Sequence, residues 1–155
     1  GLLFFLAQLI GLVLFARQLS KEGASGAAFA NISAILAIVL MAVIAMATDL
    51  GLSALALGDK GLGAEAMALA QISMGSGATF GILFGLANGL VAIPMIGQAT
   101  TSTKKYLGFT FALLMVLLLI TELFGLSLGE IVEIIIWLGS SLLFVAAGVL
   151  NYRGE

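Results

Sequence analysis

From residue 27 to residue 48 the chain carries no charged side chain, and residues 1–16, 66–93, 107–126 and 128–150 are nearly as free of charge. About 20 consecutive apolar residues make a helix that crosses the ~30 Å hydrocarbon core of a bilayer. In lipid a helix is also one of the few structures that satisfies its own backbone. The pattern therefore predicts an all-α transmembrane helix bundle of about five spans, a single domain over residues 1–155. Composition agrees. Hydrophobic residues make up 62% and charged residues 9%, whereas soluble domains carry about 25% charged residues.

The first run covers only ~24 Å at 1.5 Å per residue, so it is expected to begin upstream of Gly1. No basic segment precedes it, which argues against a retained cleavable signal peptide. Residues 52–57, inside the glycine-rich stretch 49–65, are too short to span and are expected to lie along the interface. Pro94 is expected to end or kink the third run, because it has no N–H to offer the carbonyl of Leu90. A polar loop is expected over residues 98–106 (QATTSTKKY). Ser127 and Glu130 fit a capping box, with Ser at the N-cap and Glu three residues on. Helix five is then expected to start at Leu128 after a tight turn.

The chain has no Cys and no His. That excludes disulfides, thiolate nucleophiles, imidazole bases, and Cys or His ligation of zinc, haem or iron–sulfur clusters. No glycine-rich phosphate loop with its lysine is present, and a Ser–Lys pair has its lysines only in loops, so no catalytic residues are assigned. The net charge is −2 with scattered bases, which is no footprint for nucleic acid. Five of the six bases, Arg17, Lys21, Lys104, Lys105 and Arg153, fall in alternate loops and the tail, while Lys60 stands among acids. By the positive-inside rule this places the C-terminus in the cytoplasm and the start of the first helix outside.

A row of small residues at intervals of four, Ser73, Gly77, Gly81, Gly85 and Gly89, marks the third run as a helix-packing surface, with Asn88 on the same face. Glycine lets a neighbouring backbone approach closely. The row serves packing within its own bundle, or another subunit or second copy, or a solute path. A companion stripe on the second run comprises Ala27, Ala30, Asn31, Ala34, Ala37, Met41 and Ala45. The second and third runs are thus expected to form the interior, and the fourth, over 113–120, to face lipid. Trp137 resembles an interfacial anchor. Gln8, Ser140 and Ser141 are expected to hydrogen-bond to backbone or neighbouring helices.

Acids gather near the turn between the fourth and fifth runs, at Glu122, Glu130 and Glu133, with Asp49 on the same side. Glu130 and Glu133 suit a helix N-terminus, where the dipole favours negative charge. Intramembrane carboxylates also mark ion paths, so Glu122 and Glu133 form a candidate ion site.

Residues 81–95 (GILFGLANGLVAIPM), the lysine loop and residues 137–153 (WLGSSLLFVAAGVLNYR), with their closing G-x-L-x-x-R, resemble small prokaryotic polytopic membrane proteins of unknown function. The resemblance covers roughly the C-terminal half. It implies a multi-pass protein of the prokaryotic cytoplasmic membrane and carries no catalytic residue onto this chain. The expected function is that of a non-catalytic accessory or scaffolding subunit of a larger membrane complex. Its partners would be membrane lipids and other transmembrane subunits or a second copy. Lipid, quinone or a carotenoid pigment between helices stays open, since apolar grooves need no His. The alternative is a small oligomeric channel or transporter for an ion or small solute.

Overall fold

The computed structural model describes residues 2–126 and 129–153. Five helices follow one another: α1 (Leu2–Leu19), α2 (Ala27–Asp59), α3 (Gly63–Gly97), α4 (Ser102–Phe124) and α5 (Glu130–Arg153). Among the described residues there is no strand. The helices α2, α3 and α4 are long and apolar enough to cross a membrane, and α1 and α5 carry shorter apolar stretches, Leu3–Leu19 and Ile134–Leu150.

The third helix is central. Its Ala87 carbonyl accepts a 2.7 Å bond from the buried Ser33 hydroxyl of α2. On another side its glycines meet α4, and Phe80 and Phe84 meet Trp137 of α5. The first helix closes the bundle against α5, where Gly11 faces the ring of Phe144 and Phe15 packs edge-on to it at 5.5 Å. Leu9, Leu12, Leu40, Phe84, Phe111 and Met115 are buried at the centre. The outward surface is apolar as well: Ile35, Leu113, Ile135 and Leu142 are all more than half exposed. Such a surface is matched to an apolar solvent and not to water.

Several helix boundaries differ from those the sequence predicts. Residues 52–57 are not an interfacial segment but part of an unbroken α2 of 33 residues. Leucine and alanine favour helix, and nothing after Asp49 interrupts it. Gly51 lies against Ser73 and Gly58 near Ala66, so small residues let α3 pack closely along this stretch. Pro94 does not end α3 either. The helix runs on to Gly97, and the Gln98 N–H closes on the Pro94 carbonyl. Half of the predicted loop 98–106 is helical, because the Thr101 hydroxyl caps α4 by accepting from the Lys104 N–H. At its other end α4 stops at Phe124. Gly125, at φ 60°, is followed by the Leu126 N–H bonding to the Thr121 carbonyl, a six-to-one closure favoured by a left-handed residue. Helix five does not start at Leu128 as expected: Gly129, at φ 86°, is outside the helix, which begins at Glu130, while the capping residue Ser127 lies outside the described residues.

Two expectations about faces are corrected. The α2 stripe is buried at Ala30, Ala34 and Ala37, joined by Ser33 and Leu40, but Asn31 and Ala45 are exposed. An exposed row of Ile32, Ile35, Ile38 and Val39 makes α2 peripheral on its other side. The fourth helix does not simply face lipid. Leu113, Val116 and Ile120 are exposed, whereas Phe111, Met115 and Leu118 are buried.

At 1.5 Å per residue α2 and α3 reach about 50 Å, while α1, with 18 residues, reaches about 27 Å. Phe5, near the start of α1, shares a groove with Thr48, Ser73 and Gly77. Farther along, the groove between Gly51, Ala54, Gly58, Ala66 and Ala70 is lined by α2 and α3 alone. The two helices thus project from the bundle as a hairpin. Its outer faces carry Leu52, Leu55, Met67, Ile72 and Met74, each more than half exposed.

Candidate functional site

The row from Ser73 to Gly89 does not form one packing surface. Steps of four residues advance about 40° around a helix, so four steps sweep about 160°. Ser73 accordingly faces α2, donating to the Ala47 carbonyl at 3.0 Å. A Cβ on Gly77 would meet nothing within 4 Å, and this position opens on the groove beside Phe5 and Phe80. Gly81, Gly85 and Gly89 face α4, where a Cβ would meet Glu122, Leu119 and Met115. Asn88 is buried, yet its amide does not bridge helices. It donates to the Phe84 carbonyl of its own helix at 2.9 Å.

Glu122 is the acid that the structure places inward. It is half-buried, and its carboxyl rests over Gly81, where an added Cβ would stand 2.6 Å from Oε1. Leu118, Thr121, Ile136 and Trp137 complete a cleft of about 240 Å³ around it. Glu133 lies on α5, but its side chain, like that of Glu130, is outside the described residues. Asp49 is exposed on α2. Among the described residues no group of three His, Cys, Asp or Glu side chains stands ready for a metal ion.

Trp137, expected as an interfacial anchor, is partly buried and packs against other helices. Its ring stacks on Phe80 at 6.1 Å, leans on Phe84 at 4.7 Å and meets Phe5 edge-on at 5.9 Å, tying α1, α3 and α5 together. Ser140 and Ser141 both donate to the Trp137 carbonyl within α5. Gln8 departs from expectation: its Oε1 is buried with no hydrogen-bond partner among the described residues.

At the opposite end of the bundle from the hairpin tip, Gln98 fixes two connections at once. Its amide donates to the Leu19 carbonyl at 2.7 Å and to the Ser25 carbonyl at 2.8 Å. Gly26 presses on Pro94, and Ser25 on Gly97. Beneath this junction a cavity of about 80 Å³ opens between four helices, with Gln98 and Lys104 in its wall. Sequence reasoning assigned Gln98 and Lys104 to a loop and missed the cavity. Its walls come from residues as far apart as Phe15 and Ala147, and no local pattern signals that meeting.

Compared with known protein families, with curated proteins and with solved structures, the chain matches none.

Proposed function

We propose that this chain is a non-catalytic, five-span membrane protein that serves as an accessory or scaffolding subunit, and that the distal α2–α3 hairpin meets its partner. The observation that carries this reading is the hairpin. Helices of about 50 Å exceed a ~30 Å hydrocarbon core by about 20 Å. The excess carries Leu52, Leu55, Ile72 and Met74 on its surface. Apolar side chains grouped outside lipid mark an interaction surface. The basic end then lies in the cytoplasm of a prokaryotic cell and the hairpin outside, in keeping with the charge alternation. The test is cross-linking and native electrophoresis of the chain from its own membranes. Co-migration with a larger complex, lost in a Leu55→Glu/Ile72→Glu double variant that still folds, is the expected result. Migration as a single chain would refute it.

A second reading has one observation in its favour, the half-buried carboxyl of Glu122 in its cleft. In that reading the chain is a small oligomeric channel or transporter, and Glu122 with Glu133 lines the path of a cation or proton. Reconstituted proteoliposomes decide between the two. A cation flux that vanishes in Glu122→Gln or Glu133→Gln establishes the transporter. No flux above empty vesicles leaves the subunit.

A further inference from the structure

The cavity at the basic end sets a half-buried cation beside an apolar wall. Four helices supply its walls. Phe15 and Leu19 come from α1, Met95 from α3, Leu107 from α4 and Ala147 from α5. Its charged member is Lys104, half-buried although lysine ordinarily extends into water. Among the described residues no acidic side chain lines the cavity. Lys104 also lies in the first turn of α4, whose dipole adds positive potential at the same place. The floor is held rigidly, because Gln98 is committed to the carbonyls of Leu19 and Ser25.

Size narrows the ligand further. A water needs about 10–15 Å³ by this measure, so about 80 Å³ admits about five to eight heavy atoms, enough for a phosphate group. A free phosphate would satisfy Lys104 but leave Phe15, Met95 and Leu107 against a hydrated ion. A choline headgroup would bring a second cation toward the amine. We infer that this cavity binds the phosphate of one anionic phospholipid, with Lys104 as its counter-ion and the glycerol and first methylenes against Phe15, Met95 and Leu107. The chemistry shared with inorganic phosphate is the phosphoryl oxygen on the ammonium. What distinguishes the lipid is the apolar wall. This inference rests on the membrane-spanning reading and is independent of what the hairpin binds.

The test uses the full chain, purified in mild detergent and stripped of lipid. It is titrated with phosphatidylglycerol or phosphatidylcholine of the same acyl chains and followed by native mass spectrometry and thermal unfolding. One phosphatidylglycerol is expected to bind about fivefold more tightly than phosphatidylcholine, the scale of one basic residue at a membrane surface. Lys104→Gln should erase the preference and Lys104→Arg retain it. Lys105→Gln should leave it in place, because Lys105 is exposed and lines no part of the cavity. Equal binding of the two lipids overturns the inference. So does equal loss in Lys104→Gln and Lys105→Gln, or stabilisation by inorganic phosphate that matches the lipid's. An alkaline carbonate wash separates the two levels of failure. A chain released by it refutes the spanning reading, and a chain that is retained without lipid preference refutes only the site.

Discussion

The carboxyl group of Glu122 lies on the bare backbone of Gly81, so α4 approaches α3 at a point where any larger residue would collide with an acid. Four residues on, Gly85 stands in the same relation to Leu119, whose Cγ would be 2.8 Å from an added Cβ. Gly77 has no such neighbour. Gly81→Leu and Gly85→Leu should each lower the melting temperature in detergent, on the scale of about 1–3 kcal/mol for overpacking. Gly77→Leu should leave it unchanged. Equal effects at all three positions would mean that the row packs as one face after all.

Ser33 makes a buried hydroxyl bond between α2 and α3, and the donor is completely enclosed. Interhelical bonds of this type average about 0.6 kcal/mol in membrane proteins and reach about 1.7. Ser33→Ala should therefore destabilise mildly, by an amount in that range. A loss several times larger would indicate that the hydroxyl serves more than the Ala87 carbonyl.

Gly26 and Gly23 both have positive φ, at 76° and 77°, but only Gly26 is pressed against another helix. A Cβ there would lie 2.9 Å from Pro94 Cα, and backbone cannot step aside as a side-chain tip can. Each alanine variant meets the left-handed penalty of about 1–2 kcal/mol. Gly26→Ala should cost clearly more than Gly23→Ala in thermal unfolding. Equal costs would remove the role assigned to the Pro94 contact.

A buried acceptor without a partner costs about 1–3 kcal/mol. Gln8→Leu removes that acceptor while keeping roughly the same volume, so the purified single chain should melt higher. A lower melting temperature would reveal a partner for Gln8 that the isolated chain does not supply.

Orientation is open to direct labelling. Ser102 and Gly61 lie at opposite ends of the bundle, and both are exposed. Cysteines introduced at the two positions should react with a membrane-impermeant reagent from opposite sides, Gly61→Cys from outside. Labelling from the same side would refute the five-span arrangement.

The helical class and the five segments were legible because unbroken apolar runs admit few other structures. Their ends were not. Asp49 looked like a terminus by hydropathy, yet a helix ends where its backbone finds another partner, and α2 finds none before Lys60. The Thr101 cap was hidden inside a polar stretch for the same reason, since polarity marks exposure and not conformation. The glycine row was visible, but the neighbour each glycine meets depends on where α2 and α4 lie around α3. The fit of Glu122 to Gly81 joins positions far apart in the chain. Periodicity within one helix contains no information about such a pair.

The continuity of α2 and α3 also has a mechanical side. Helices curve only gently, with radii of ~60–100 Å, so rods of about 50 Å behave as stiff levers. Ser33 and Ala87 join them deep in the bundle, while Gly51 and Ser73, and Gly58 and Ala66, hold them close farther out. A force applied at Lys60 and Gly61 cannot be absorbed by a hinge at the bundle's edge, because neither helix breaks there. Both helices carry it unbroken toward the level where Gly81 meets Glu122.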